Sequence, residues 1–276
     1  MTGSLLDLRI DTGRFRANLK ALAAIGATSN GGVHRPAFSE AHLEARRWYL
    51  KTAEQAGLEA SVDGAGNHSA LLRCGPSNAP TLLMGSHLDS VPQGGRFDGA
   101  LGVIAAFEVL QIVKDHGLSL STHLEAIDFT DEEGHYANFV GSLGLTGGLQ
   151  PAHIQAPRGG RARFQDALRR AGLSEESLFT AARDPATLAA YLELHIEQGG
   201  RLAGQNTSIG IVTGIVGIRS FQVRFLGRAD HAGTTPMEHR TDAAQGASAF
   251  TLAVRETMSR FPGCVATVGN MVFEPG

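Results

Sequence analysis

Histidine and aspartate residues are concentrated in one glycine-rich stretch, "MGSHLDSVPQGGRFDGALG" (84–102), which directly follows an apolar run. Side chains two residues apart in an extended segment point the same way, so His87 and Asp89 are expected to face together. A metal-binding histidine usually donates its other ring N–H to a carboxylate, a role that Asp89 could fill. Asp98 could bridge two cations. Taken alone, Asp98 is better explained as the N-cap of a helix from Gly99, but the three residues together favour a metal site.

A second group of acidic residues, "TDEEGHY" (130–136), follows another apolar run. Adjacent side chains in an extended segment point in different directions, so Glu132 and Glu133 are expected to diverge. One could bind a metal while the other acts as general base toward a metal-activated water. An isolated acidic turn is usually only a solvated turn, and that alternative loses ground if the turn lies at the same sheet edge as His87 and Asp98.

Two further histidines stand in patterned places. In "YLELHIEQGG" (191–200), apolar and polar residues alternate, and the polar face carries His195. Gln198 follows, where its amide could contact a polar substrate. In "GRADHAGTTPMEHRTDA" (227–243), His231 lies in a turn whose glycines permit close backbone approach to a ligand. A surface histidine and an incidental histidine in a helix-entry loop are the plainer explanations of these two segments.

The combined set of side chains indicates a particular chemistry. Mixed nitrogen and oxygen ligands suit zinc, manganese or cobalt better than calcium. Two such cations about 3.5–4 Å apart polarise a carbonyl and lower the pKa of water. The sequence contains no Gly-x-Ser-x-Gly elbow and no P-loop, so serine hydrolysis and phosphoryl transfer are disfavoured.

The elements that must position these residues alternate along the first half of the chain. A helix is predicted over 39–57, with Ser39 as its N-cap, and a buried helix over 99–117. Short apolar runs at 81–86 and 122–130 predict strands. Alternation of strand and helix favours an α/β layer with a partly parallel sheet, in which ligands gather at the carboxyl ends of the strands.

The second half of the chain changes character twice. Residues 141–190 are expected to be mostly helical and loop-rich, with "FQDALRRAG" and "DPATLAAYLELHIEQG" the clearest pieces. From residue 208 onward the pattern becomes β-rich, then predicts a helix in "TDAAQGASAFTLAVRETMSRF" and a strand in "CVATVGNMVFEPG". We therefore expect a β–β–α–β fragment of a second domain.

Composition narrows the function classes. Of the 276 residues, 42% are hydrophobic and 18% charged, which is typical of a folded domain, and the net charge is −3. There is no basic run that would indicate nucleic-acid binding and no apolar stretch as long as a membrane span. The stretch "MTGSLLDLRID" (1–11) lacks the basic n-region and the long apolar core that are typical of a secretory signal. The two cysteines, Cys74 and Cys264, lack metal-binding spacing. We expect a cytoplasmic protein with a small-molecule substrate.

Several motifs together resemble one family. "GSHLDSVPQGGRFDGALGV", "TDEEG", "YLELHIEQG" and "GRADHAGTTPMEHRTDA" are similar to segments of the zinc-dependent amidases of the hydantoinase/carbamoylase family, within the M20 metallopeptidase superfamily. The resemblance implies a three-layer α/β catalytic domain with a mixed, partly parallel sheet at 1–207. At 208–276 it implies an incomplete ferredoxin-like α+β lid, through which a homodimer forms.

The resemblance also implies roles for the metal-binding residues. His87 and His195 would bind the first of two divalent ions, zinc in the first instance, with Asp98 bridging to the second. Glu133 would bind the second ion. A histidine at position 195 separates this branch from many peptidase relatives, which carry a carboxylate there.

The remaining roles concern catalysis and substrate. By resemblance, Glu132 is the general base, Asp89 supports His87 from behind, and Gln198 contacts substrate. His231 is expected to reach an active site across the dimer and stabilise the developing oxyanion.

The family implies hydrolysis of a linear amide, either an N-carbamoyl amino acid or a ureide such as allantoate. An aminoacylase or dipeptidase, or a non-catalytic metal-binding or dimerisation module, is the alternative. Family members continue past "FEPG" (273–276) with a last histidine ligand of the second metal and the rest of the lid. We therefore expect a C-terminally shortened chain that completes the first metal site, leaves the second with Asp98 and Glu133, and is weakly active or inactive alone.

Overall fold

A computed structural model describes residues 8–274 of the chain. The residues divide into two compact units, one ending at Ile209 and the other beginning at Gly210. The two predicted domains, 1–207 and 208–276, include residues 1–7 and 275–276, which lie outside the described residues. No helix among residues 8–274 is long and apolar enough to cross a membrane.

The first unit is built on one five-stranded mixed sheet. Its strands are β1 (Glu59–Val62), β2 (His68–Leu72), β3 (Thr81–His87), β4 (His123–Phe129) and β5 (Leu188–Leu192). They lie in the order β1-β2-β4-β3-β5. The β1–β2 and β2–β4 pairs are antiparallel, whereas β3 runs parallel to both β4 and β5. The predicted α/β class with a mixed, partly parallel sheet is confirmed.

The central strand β4 shows why the sheet is covered on both faces. All seven of its residues are buried. Leu124 and Ala126 pack into the larger core with the long helices, whereas Ile127 and Phe129 pack on the opposite face with Leu145. Successive strand side chains alternate between faces, so both faces of β4 are covered, and its buried carboxylates Glu125 and Asp128 are each paired with an arginine.

Seven α-helices lie in residues 8–209, the described part of this unit. They are α1 (Thr12–Ala24), α2 (Glu40–Gln55), α3 (Ala100–Asp115), α4 (Val140–Leu145), α5 (Pro151–Ile154), α6 (Arg161–Arg170) and α7 (Arg201–Gly204). The predicted helices over 39–57 and 99–117 are confirmed as α2 and α3. Ser39 caps α2 by accepting a hydrogen bond from the His42 N–H at 3.2 Å.

One predicted element of this unit is wrong. The segment "DPATLAAYLELHIEQG" was expected to begin within the mostly helical residues 141–190 and to alternate as a half-polar strand from residue 191. Instead, a 3₁₀ turn at Pro185–Thr187 leads directly into strand β5, which begins at Leu188. Leu192 lies opposite Met84 of β3 in the parallel ladder. Backbone pairing along the open edge of β3 therefore overrides the helix propensity of the alanine and leucine residues here.

The second unit contains one long helix, α8 (Ala243–Met258), whose N-cap Asp242 accepts from the Ala244 N–H at 2.9 Å. This helix is confirmed. The strands expected within 208–233 and at 264–276 do not form in the described part of this unit, residues 210–274. Their apolar side chains are exposed, as in Ile211 and Val265. A strand needs a hydrogen-bonded neighbour, so the ferredoxin-like lid stays a prediction.

Candidate metal centre

The first component of the site is His87, the last residue of β3, whose side chain is buried. Its Nδ1 lies 3.0 Å from the backbone carbonyl oxygen of Asp89. Because a carbonyl only accepts, Nδ1 must carry the proton of that hydrogen bond. The lone pair of Nε2 is then available to a metal ion.

The loop after His87 returns to it through Gly99. This glycine is the N-cap of α3 and has a φ of 65°, in the left-handed region that favours glycine. A Cβ there would lie 2.5 Å from ring atoms of His87. The turn can therefore bring Asp98 beside His87 only with a glycine at position 99.

The expectation that Asp98 alone would be a helix N-cap is wrong. Gly99 occupies the cap, and no side chain caps α3. The carboxylate of Asp98 instead lies 3.2 Å from Nε2 of His195 and accepts two hydrogen bonds from the Gln198 amide, at 3.0 and 2.8 Å. These contacts direct the carboxylate away from the helix and toward the other site residues.

His195 completes a three-residue cluster in the segment after β5. The rings of His87 and His195 have centroids 6.0 Å apart. One ligand atom from each of His87, Asp98 and His195 lies within 4.8 Å of the others. Two imidazole nitrogens and one carboxylate oxygen form a donor set that suits a divalent transition metal such as zinc.

The electrostatics of the cluster are those of a site that attracts positive charge. The hydrogen bond with Asp98 raises the pKa of His195 to about 9. The same bond to His195 lowers the pKa of Asp98. For His87, burial acts to lower the pKa, but the Asp89 carboxylate and carbonyl outweigh it, and the pKa is raised. A bound cation would take the place of these protons.

Asp89 connects the two loops that carry the expected site residues. It is fully buried, and its Oδ2 accepts a hydrogen bond from the Glu133 N–H at 3.1 Å. Its Oδ1 lies 3.6 Å from Nδ1 of His87 and has no hydrogen-bond partner among residues 8–274. Asp89 therefore lies beside the ring of His87, and its backbone carbonyl rather than its carboxylate makes the short contact.

The acidic turn follows β4 and lies at the same sheet edge. Burial raises the pKa of Glu132 to about 7, and Ser142 Oγ donates a hydrogen bond to its Oε2 at 3.1 Å. Burial also raises the pKa of Glu133, while the charge of His87 acts to lower it. Glu133 therefore lies within electrostatic reach of His87 but outside the three-residue cluster.

Two expected substrate contacts have other partners in this structure. The side-chain amide of Gln198 donates its hydrogen bonds to the Asp98 carboxylate. The backbone of Gln198 has a φ of 54°. His231 belongs to the second unit, where its Nδ1 accepts hydrogen bonds from the N–H groups of Gly233 and Thr234 at 3.1 and 3.2 Å. In that unit the ring stabilises its own turn.

The sequence did not predict three buried residues that hold the loops at this edge of the sheet, Asp131, Arg46 and Asp128. The carboxylate of Asp131 accepts hydrogen bonds from the backbone N–H groups of residues 135–137 and so folds the acidic turn. Arg46 and Asp128 form a fully buried ion pair under both loops. The available signal was a lone aspartate inside the apolar strand "EAIDF" and an arginine on the apolar stripe of α2.

Fold and site together define an α/β domain with a candidate metal centre built around the carboxyl ends of its strands, where ligands of such sheets are bound. Comparison with known proteins agrees with this class. The chain belongs to peptidase family M20/M25/M40, which it matches over residues 83–270.

Two relatives with assigned enzyme names are hydrolases, and a related solved structure is that of an amidase. The N-carbamoyl-L-amino acid amidohydrolase of Geobacillus stearothermophilus is 37% identical over 265 residues, which cover 95% of this chain and 65% of that protein. The ureidoglycolate hydrolase of Arabidopsis thaliana is 31% identical, covering 98% and 59%. A crystal structure of a hydantoinase/carbamoylase-family amidase from Burkholderia phymatum superposes with a TM-score of 0.76 at 38% identity, covering 98% and 66%.

Proposed function

We propose that this chain provides the metal-binding part of a hydrolase that cleaves a non-peptide C–N bond in a linear amide, either an N-carbamoyl amino acid or a ureide. The convergence of His87, Asp98 and His195 carries the proposal. The chain covers 65% of the Geobacillus stearothermophilus relative, so the activity of a whole protein is part of the proposal. The names of the relatives support this substrate class.

We propose that this part of the chain contributes to the binding of two divalent ions. His87, Asp98 and His195 would hold the first ion, and Asp98 with Glu133 would contribute to the second. Zinc suits these ligands, and manganese and cobalt are the alternatives. Bound there, the ions supply Lewis acidity toward the substrate carbonyl and lower the pKa of the attacking water.

Glu132 would move the proton. Its carboxylate takes a proton from the attacking water and returns it to the leaving nitrogen. A pKa of about 7, raised by burial, suits a base that must also act as an acid near neutral pH. The hydrogen bond from Ser142 orients the Oε2 atom and leaves the other carboxylate oxygen for water.

The remaining assignments extend the proposal beyond the cluster. Asp89 holds the ring of His87, and Gln198 exchanges its bonds to Asp98 for contacts with substrate. His231, on a lid formed by 208–276, stabilises the oxyanion across a homodimer. We place the protein in the cytoplasm.

Zn²⁺ titration of the chain and of its Glu132→Gln variant tests the proposal. We expect both to bind the ion, because Glu132 is not a ligand of the first site. Activity is then assayed with the 276-residue chain, as ammonia released from N-carbamoyl amino acids against hydrolysis of N-acetyl ones.

Each outcome of the assay separates two functions. Release of ammonia that is lost in Glu132→Gln supports a carbamoyl or ureide hydrolase. Preference for the N-acetyl substrate would indicate an aminoacylase instead. Zn²⁺ binding with no turnover of either substrate would indicate a metal-binding module, and failure to bind Zn²⁺ would overturn the assignment of the centre.

A further inference from the structure

A buried ion pair lies directly beneath the candidate metal centre. Arg46 of α2 donates from Nε to Oδ2 of Asp128 in β4 at 2.7 Å, and both side chains are almost completely inaccessible. Asp128 shares the face of β4 that packs against the long helices with Leu124 and Ala126, and it is one residue before the end of the strand. The pair therefore lies where β4 passes into the acidic turn.

The second oxygen of Asp128 reaches the first site loop. Oδ1 accepts a hydrogen bond from the backbone N–H of Leu88 at 2.7 Å. Leu88 stands between His87 and Asp89, so this bond fixes the peptide that sets the direction of both side chains. Asp128 itself is held in place by Arg46.

The guanidinium of Arg46 also reaches the second site loop. Its Nη2 donates to the carbonyl of Phe129 at 3.2 Å and to Oγ1 of Thr130 at 3.0 Å. Thr130 begins the acidic turn that carries Glu132 and Glu133. One side chain thus bonds directly to one loop and, through Asp128, to the other.

Stability alone does not account for this arrangement. Nη1 of Arg46 is buried and has no hydrogen-bond partner among residues 8–274. Burying an ion pair costs desolvation that its attraction barely offsets, and well-packed apolar residues of similar volume often serve a fold as well. The bonds to the two loops are what an apolar replacement could not supply.

We propose that Arg46, acting through Asp128, is a positioning residue that sets the distance between the loop of His87 and Asp89 and the loop of Glu132 and Glu133. Asp89 joins the loops at the surface of this network, through its bond to the Glu133 N–H. Arg46 holds the same two loops from below. This inference rests on the proposed function for its catalytic meaning, but not for its geometry.

The test compares two ion pairs on opposite faces of β4. Arg46→Met is the test variant. Arg183→Met is the matched control, because Arg183 makes a bidentate pair with Glu125 at 2.6 and 2.7 Å on the other face and contacts neither loop. The double variant Arg46→Met/Asp128→Leu removes the buried charge together with its partner, which keeps the core free of an orphaned carboxylate.

Zn²⁺ affinity, measured by competition with a chelating dye, is the first readout. We expect Arg46→Met and the double variant to bind Zn²⁺ about 10- to 100-fold more weakly, the usual effect of removing a residue that orients metal ligands. Arg183→Met should lose thermal stability without losing affinity. Unchanged affinity in the folded double variant would overturn the proposal, as would an equal loss in the Arg183 control.

Amide hydrogen exchange is the second readout and requires no metal. The Leu88 amide should exchange faster in the double variant because its acceptor is gone, and the Glu133 amide should follow because the loops are no longer held together. A fast Leu88 amide with an unchanged Glu133 amide would contradict the proposal. If the unaltered chain binds no Zn²⁺, the proposed function fails while this readout still decides the role of Arg46.

Discussion

The two histidines of the candidate metal centre lie in contrasting surroundings. The His87 side chain is 6% exposed and ends a strand buried in the sheet. The His195 side chain is 29% exposed and lies on an irregular segment after the edge strand β5. His87 is held by the core, whereas His195 is held by its contacts with Asp98 and with the Ile196 carbonyl.

This contrast indicates how the centre is built. The half that contains His87, Asp89 and the acidic turn is preorganised by buried hydrogen bonds. The half that contains His195 and Gln198 depends on Asp98, because the Asp98 carboxylate contacts both of these side chains. A metal ion held there would replace a few exposed contacts with coordinate bonds, so the exposed half should change most on loading.

The largest difference between the halves is expected from glycine substitutions. Gly99→Ala adds a Cβ 2.5 Å from the His87 ring at a residue with positive φ, which should lower the free energy of unfolding by about 3 kcal/mol. Gly200→Ala in the exposed half meets nothing within 4 Å and should change it by less than about 0.5 kcal/mol. Urea unfolding of both variants measures this, and equal effects would remove the contrast.

The buried half should also respond to acid through His68, which lies opposite Asp128 in the β2–β4 ladder. Burial lowers the pKa of His68 to about 3, below its ordinary 6.5. The unfolded chain then binds the proton first, so the stabilisation present above pH 6.5 is lost progressively as the pH falls toward 3. Between pH 7.5 and 5.0 this amounts to about 2 kcal/mol.

A His68→Gln variant isolates that contribution. Raised carboxyl pKa values nearby, such as that of Asp131, act in the opposite direction but are shared by both proteins. The difference in unfolding free energy between the two proteins should therefore shrink or reverse as the pH is lowered. A difference that stays constant from pH 7.5 to 5.0 would show that His68 titrates normally.

The smallest expected effect concerns the exposed half. In the metal-free chain, Asp98→Asn should return the pKa of His195 from about 9 toward 6.5, because the hydrogen bond with the carboxylate is its main cause. Gln198→Ala is the control, since it leaves that bond in place. NMR titration of the His195 ring protons measures both, and a pKa that stays near 9 in Asp98→Asn would mean that another group charges the ring.

The buried elements of the fold were easier to predict from the sequence than the exposed ones. Helices α2 and α3 and the strands β3 and β4 could be predicted because their apolar periodicity matches their burial. The first residues of the edge strand β5, 188–190, were predicted as part of a mostly helical region, since a short segment paired on one side carries a weak pattern of its own. The strands expected after residue 208 have the right local pattern, but in the described residues 210–274 they have no neighbour to pair with.

Within the site, the residue types and their positions favoured a metal site at His87 and Asp98, whereas the assignment of His195 as a ligand came from the resemblance to a known family. Their convergence depends on parallel strands whose carboxyl ends meet at one edge, which alternating strand and helix patterns imply. The partner of Gln198 and the cap of α3 could not be predicted in this way. Both depend on how the loop between His87 and Gly99 closes.

The sequence by itself therefore determined the α/β class, the long helices, the central strands and the list of candidate ligands, because these follow from local periodicity and chemistry. Only the tertiary structure decided that Arg46 and Asp128 lie beneath two loops that are distant from one another in the chain. A sequence pattern shows that Arg46 and Asp128 are charged, but it does not show that their side chains are buried against one another. That contact exists only after the helix and the strand have packed together.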